Sequence, residues 1–292
     1  MPELPDLVHV AAELSRALPG RTITEARTGD PTVLRIMVSG QFPQVLLGRN
    51  FQTVERRGHF ICLGLSGDLV LAVNCMLAGR FVLAPRDGKN PRALALALGL
   101  SAVPTETGAA DELRYVDDRR MGKVYVAPAE RLAEVPQLGT LGVDLLSPAF
   151  TAEAFRALAQ KRRDQVRQFL MDKSALASIG NAYADEILFA ARIHPKTFVR
   201  KLNAADLERL YAAIVETTGA AIEEICTRNA PIEVKVRDFL KVRGRTGQPC
   251  PVCGTRIRAV RVGDGDACFC PTCQPASRAL FVDWSKLPPR SK

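Results

Sequence analysis

The chain has 292 residues, 47% of them hydrophobic and 24% charged, with 8 cysteines and a formal net charge of +9. That length suggests two domains with room for a small third module, and the composition is that of a chain with an ordinary packed core, so disulfides are not needed to staple a mini-fold. The N-terminus MPELPDL places acids and prolines where a secretory signal carries basic residues and an apolar run, and no apolar stretch reaches the ~20 residues of a membrane span. The expected location is a bacterial cytosol or nucleoid with no membrane partner. In that reducing compartment cysteines read first as metal ligands or core residues.

The charge is unevenly spread. Residues 1–150 balance 16 Lys and Arg against 16 Asp and Glu, whereas residues 151–292 carry 24 against 15. The excess positive charge therefore lies in the C-terminal half. This points to a polyanion partner, with a solvated basic surface as the plain alternative.

In chain order, residues 5–18 place Leu7, Ala11, Leu14 and Leu18 on one side of a helix that Pro19-Gly20 ends, so Pro2 and Glu3 stand just ahead of its N-terminus. Short apolar runs then recur at 33–38, 44–47, 60–65, 69–73, 80–83, 93–98 and 123–126, separated by Gly, Pro or charge; they predict a β-sandwich or barrel, although 92–98 reads equally as helix. Residues 132–150 read as a linker between an N-terminal domain, 1–131, and a helical domain, 151–240. Helical spacing is expected over 151–160, 164–172, 182–191, 204–227 and 231–239. A Cys-rich module, 241–275, and a tail, 276–292, containing Trp284, complete the chain.

The strongest local signal is Cys250-Pro-Val-Cys253 followed by Cys270-Pro-Thr-Cys273. Two CxxC turns aim four thiolates at one ion, which suits tetrahedral zinc; four protein ligands leave no open position, so one structural Zn²⁺ per chain is expected. Cys268, two residues before a ligand, lies outside the two CxxC turns and is not expected to be a ligand. Cys62, Cys75 and Cys226 lie in apolar surroundings and read as core.

Four segments together resemble the formamidopyrimidine-DNA glycosylase and endonuclease VIII-like family: Pro2-Glu3-Leu4-Pro5; Tyr115-Val-Asp-Asp-Arg119-Arg120-Met121-Gly122; Leu170-Met-Asp-Lys through Ser178-Ile-Gly-Asn181-Ala-Tyr-Ala-Asp-Glu186 to Ile193-His194-Pro195; and Gly244-Arg-Thr-Gly-Gln-Pro-Cys250 leading into the finger. Their order and spacing span nearly the whole chain. The resemblance implies an α+β fold with an N-terminal β-sandwich, a helix-two-turn-helix domain and a Cys₄ zinc finger. It also implies a monomer that binds duplex DNA with a damaged base or abasic site in a cleft and excises the base, with possible strand cleavage at the abasic site.

In that family the chemistry starts at the terminal proline. With Met1 removed, Pro2 is a secondary amine whose neutral form the following helix end favours, and which can attack C1′ of a deoxyribose. Glu3 is the matching general acid/base. Asp6 stands where the family shows glutamate. Without the resemblance, Pro2 is a helix-entry residue, and Glu3 and Asp6 are charges at a helix start. Asn181 reads as an N-cap, and the matching asparagine contacts a phosphate beside the lesion. Arg167 matches a basic residue facing the DNA, or is a solvated helix charge. Arg119, Arg120 and Met121 fall on the loop that fills the hole left by the extruded base, and Leu77 falls where a second apolar wedge is common; the plain alternative is that Met121 and Leu77 are core.

Three departures stand out. His59 occupies a position where the family carries a phosphate-binding lysine, which predicts a weak or pH-dependent strand-cleaving step. Gly263-Asp264-Gly265-Asp266 replaces a finger arginine, for which Arg261 is the available substitute. The segment 219–236 has no evident match to an oxidised-purine recognition loop. These losses leave a second reading open, a non-catalytic binder of damaged or unusual DNA with the same fold. A zinc ribbon unrelated to repair would account for the cysteines and the charge but not for Pro2-Glu3 or the Asn181 segment.

Overall fold

The computed structural model describes residues 2–102 and 110–276; the expected tail falls beyond position 276, almost wholly outside the described residues. The chain divides into two compact units, one from Met1–Leu141 with Gly219–Val236 and one from Gly142–Thr218 with Arg237–Lys292. Both are discontinuous, whereas the sequence suggests segments that follow one another.

Unit one opens with helix α1, Leu4–Ala17, which buries Leu7, Val10 and Leu14. Nine strands follow: β1 Ile23–Thr28, β2 Leu34–Ile36, β3 Phe51–Arg57, β4 Phe60–Leu65, β5 Leu69–Asn74, β6 Gly79–Ala84, β7 Leu94–Leu100, β8 Glu112–Asp117 and β9 Lys123–Pro128. They form a five-stranded sheet ordered β2-β9-β5-β4-β3 and a four-stranded sheet ordered β1-β7-β8-β6. Side chains alternate along a strand, so one face of β5 supplies Leu69, Leu71 and Val73 to the core shared with the second sheet and α1. Its other face puts Val70 and Ala72 against Leu132, Val135 and Leu138. Burial on both faces explains the unbroken apolar run there.

The stretch that read as helix or strand at 92–98 is strand β7, and residues 44–47 form turns rather than a strand. Strands β1, β3 and β8 escaped the reading of apolar runs. ITEART and FQTVERR carry polar groups on a solvent face. The ELRYVD strand buries charge through the ion pairs of Glu112 with Arg27 and Arg114.

Unit two contains a two-residue strand β10, Val143–Asp144, paired in parallel with β11, Leu176–Ala177. Its helices are α2 Ala152–Gln160, α3 Val166–Met171 and α4 Asn181–Ala190, with β12 Arg258–Val262 and β13 Gly265–Phe269 forming the finger hairpin. Helix α5, Ala204–Arg228, has its first part in unit two and its last turns, from Gly219, in unit one. The helix expected over 231–239 is absent. Asn229 takes a left-handed φ of 45° and ends α5, and Pro231, which lacks an N–H, follows at once.

Cys226 is exposed, correcting its assignment to the core, while Cys62 and Cys75 are buried as expected. Among the described residues no helix is long and apolar enough to cross a membrane.

Candidate functional site

The first residues of the chain sit where a helix begins. Glu3 is the N-cap of α1, and its N–H donates to Asp6 Oδ2 at 2.8 Å in a reciprocal capping box. Asp6 therefore has a structural task beside any chemical one. Pro2, Glu3 and Asp6 are all buried. Pro2 and Asp6 line a cavity with His9, Cys75, Phe81 and Ile232. Burial pushes the Cys75 thiol up to about 12, so it stays neutral and is no rival nucleophile to the proline.

His59 is not among the residues lining this cavity. It follows the turn at Gly58, is 4% exposed, and its Nε2 lies 3.3 Å from Gln137 Oε1. Gly58 adopts φ 56°, and a Cβ there would lie 2.6 Å from a methyl of Leu141, so the turn presses against the segment that covers the histidine. The ring is thus buried against Gln137 rather than exposed at the surface.

The expected wedge residues are exposed. Leu77 is 51% and Met121 39% exposed, which removes the reading of both as core. Asp117 builds the loop that carries Met121. Its carboxylate accepts from Arg119 N–H at 3.0 Å and from Gly122 N–H at 2.6 Å. A Cβ on Gly122 would collide with the Tyr115 hydroxyl at 1.9 Å, so this position needs glycine. Arg119 and Arg120 are exposed, and Arg120 pairs with Asp30 at 3.2 Å.

In unit two, a cavity of about 330 Å³ is lined by Arg167, Gln168, Asn181 and the hairpin turn Val262–Gly265. Arg167 is 2% exposed and is not a solvated helix charge. Its Nε donates to Asp185 Oδ1 at 2.8 Å, and its Nη2 donates to Asn181 Oδ1 at 2.7 Å and to the Asp266 carbonyl at 3.1 Å. Asn181 is the first residue of α4, with Gly180 as the cap, which corrects the expected N-cap assignment. Because its Oδ1 accepts from Arg167, its amide nitrogen is left with two hydrogens for a ligand. A Cβ on Gly265 would lie 3.4 Å from Asn181 Oδ1 and 3.7 Å from Arg167 Nη1, so this glycine faces the pair without filling the cavity. Arg261 does not line the cavity. It is exposed, and its Nε donates to the Gly263 carbonyl at 3.1 Å.

Asp185 and Glu186 were not singled out as site residues by sequence reasoning. Asp185 Oδ2 accepts from Arg243 Nη1 at 2.8 Å and from Cys268 N–H at 3.0 Å, tying α4 to the finger. Glu186 accepts from the N–H groups of Lys241, Val242 and Arg243, each at 2.8 Å; burial raises its pKa while these three bonds oppose the rise. Two adjacent acids inside the otherwise apolar NAYADEILFA helix were the signal available in the sequence.

The sulfur atoms of Cys250, Cys253, Cys270 and Cys273 all lie within 4.8 Å of one another, with neighbouring pairs at 3.4, 3.5 and 3.8 Å. Zinc–sulfur bonds of about 2.3 Å in a tetrahedron require edges of roughly 3.8 Å, so the four thiols fit one structural zinc. Cys268 lies outside the cluster, with its sulfur 3.5 Å from Thr246 Oγ1. Two five-residue strands make too small a core to stand without the ion. Removing zinc with a strong chelator is expected to unfold the hairpin. A thiol-reactive dye would then report four additional accessible cysteines, and affinity for duplex DNA would fall by at least about tenfold. Unchanged thiol reactivity after metal removal would contradict this.

Three family profiles match: the formamidopyrimidine-DNA glycosylase N-terminal domain over residues 1–124, the formamidopyrimidine-DNA glycosylase H2TH domain over 141–230, and the zinc finger found in FPG and IleRS over 247–276. The formamidopyrimidine-DNA glycosylase of Acidothermus cellulolyticus is 34% identical over 288 residues, covering 95% of this chain and 99% of that protein. The enzyme of the same name from Pelotomaculum thermopropionicum is 31% identical over 281 residues, covering 94% and 99%. A solved complex between Lactococcus lactis Fpg and DNA containing an abasic site superposes with a TM-score of 0.82 at 25% identity, covering 94% of this chain and 100% of the other. With matched domains spanning the sandwich, the helical region and the Cys₄ finger, the chain belongs to the formamidopyrimidine-DNA glycosylase family.

Proposed function

We propose that this protein is a base-excision-repair DNA glycosylase, acting as a monomer on duplex DNA with a damaged base or abasic site, and that Pro2, freed by removal of Met1, is its nucleophile. The observation that carries the reading is the grouping at the start of α1. A cavity is lined by Pro2 and Asp6, and Glu3, buried and bonded through its N–H to Asp6, lies between them in sequence as the helix cap. A binder with no chemistry has no use for a terminal imino acid beside a buried carboxyl group.

The bonds follow in order. The ring nitrogen of Pro2 bonds to C1′ as the glycosidic bond breaks, and the base leaves with the bonding pair and takes up a proton. The nitrogen then loses its own proton. Its lone pair forms an iminium with C1′ as the C1′–O4′ bond opens, and Glu3, in its acid form, protonates O4′. A secondary amine yields an iminium that cannot be neutralised by losing a second N–H proton, so it stays an electron sink for elimination of the 3′ phosphate. With His59 held inside, that elimination step is weak.

Leu77 and Met121, with Arg119 and Arg120 beside them, fill the space the extruded base vacates. Asn181 and Arg167 hold a backbone phosphate in the unit-two cavity, where α4 begins and its dipole is positive. Arg167 thus supplies from α3 the guanidinium that the hairpin lacks at Gly265.

The test is a panel of duplex oligonucleotides carrying oxidised, ring-opened, deaminated and abasic nucleotides, incubated with borohydride present and absent. Base release from at least one lesion, and a covalent protein–DNA product under borohydride, are expected. Binding without either product would favour the non-catalytic alternative.

A further inference from the structure

Among the polar side chains buried in the Pro2 cavity, His9 is one that the chemistry above does not use. His9 lies one turn after Asp6 on α1, so the i, i+3 spacing brings both to the same wall. It is 4% exposed, and its Nε2 lies 2.8 Å from the carbonyl oxygen of Ala230. A carbonyl only accepts, so Nε2 carries the proton. In the neutral ring Nδ1 is then a lone pair. No described residue donates to it. Nδ1 is not sealed in the interior, so with no protein donor it opens onto the cavity that His9 lines, where a ligand N–H can reach it.

The other polar groups around it are differently placed. Asp6 is engaged with the Glu3 N–H, and Cys75 is a neutral thiol. The facing wall is the irregular segment Ile232–Lys235, whose Val234 and Lys235 are exposed. Free space in the cavity amounts to about 20 Å³ at its core and about 420 Å³ with its open mouth. A planar base therefore enters by displacing the 232–235 wall, which belongs to no helix or strand and of which Ile232 packs against the core. The Ala230 end of that segment stays fastened to His9.

On the glycosylase reading above, we infer that His9 is a specificity-determining residue whose Nδ1 accepts a hydrogen bond from an N–H on the base entering the Pro2 cavity. The preferred bases carry a lactam, imide or urea N–H at the edge they present. A base that offers a ring-nitrogen lone pair there sets acceptor against acceptor and is rejected.

The experiment compares the wild type with His9→Phe and His9→Gln. Single-turnover base release is measured on duplexes carrying dihydrouracil or 8-oxo-7,8-dihydroguanine, each paired with an analogue bearing a methyl in place of its ring N–H hydrogen. Binding to a duplex with a tetrahydrofuran abasic analogue, which has no base to read, is measured alongside. The wild type is expected to prefer an N–H lesion over its methylated partner by about 10–100-fold. His9→Phe should bring that ratio close to one, and His9→Gln, which keeps an acceptor, should restore part of it. All three proteins should bind the abasic analogue within about twofold. A wild-type ratio retained in His9→Phe overturns this inference alone. So does a loss of abasic-analogue binding that matches the loss of base release, since that marks a merely structural role. A wild type that releases no base from any duplex overturns this inference together with the reading it rests on.

Discussion

Replacing Glu3 with glutamine is expected to slow base release by about 10²–10⁴-fold, the usual contribution of a positioned general acid. The substitution is nearly isosteric. Glutamine still offers a side-chain oxygen to the capping box, and the Glu3 N–H remains bonded to Asp6. Loss of the charge at the helix start costs no more than about 1 kcal/mol, so the thermal midpoint should move little. What disappears is the proton for O4′. Binding to an abasic-analogue duplex should therefore survive while turnover collapses. Turnover within about threefold of wild type would remove Glu3 from the chemistry and leave it a capping residue.

Arg167→Ala is expected to have the second largest effect, and on a different property. The side chain is 2% exposed and joins three partners from α4 and the finger: Asp185, Asn181 and the Asp266 carbonyl. Truncation leaves Asp185 Oδ1 buried without its cation, which typically costs about 3–5 kcal/mol. The surviving bonds from Arg243 and Cys268 to Oδ2 hold the expected loss to the lower end of that range. Chemical denaturation would measure it. Asn181→Ala separates the two roles of the site, because it removes a ligand donor but keeps the Arg167–Asp185 pair. It should lower DNA affinity by about tenfold with little change in stability, and salt-titration of binding would read the phosphate contact that remains. Equal stability loss in both variants would mean that the cluster is scaffolding alone.

The elements that announced themselves in the sequence were those whose pattern is local. Helix α1 shows its apolar stripe and its Pro-Gly stop, α4 follows directly on the Ile-Gly-Asn segment, and the two CxxC turns define their ion by spacing alone. Strands β1 and β3 did not, because polar groups on their solvent faces break the apolar run, and β8 did not, because it buries Glu112 against Arg27, 85 positions away. The same limit applied to the site. Pro2, Glu3 and Met121 could be named from short motifs. That His59 is buried against Gln137, that Arg167 rather than Arg261 lines the unit-two cavity, and that His9 meets Ala230 across 221 positions are facts of tertiary packing. No window of adjacent residues contains them. Cys226 misled for a related reason: apolar neighbours on α5 belong to its buried stripe, and the cysteine sits outside it.

Peptide mass spectrometry of the borohydride-reduced adduct with abasic DNA tests the central claim most directly. The account predicts the sugar remnant on the nitrogen of Pro2, in chains lacking Met1. A remnant carried instead by Lys235, the lysine lining the same cavity, or an adduct formed by chains that retain Met1, would contradict it.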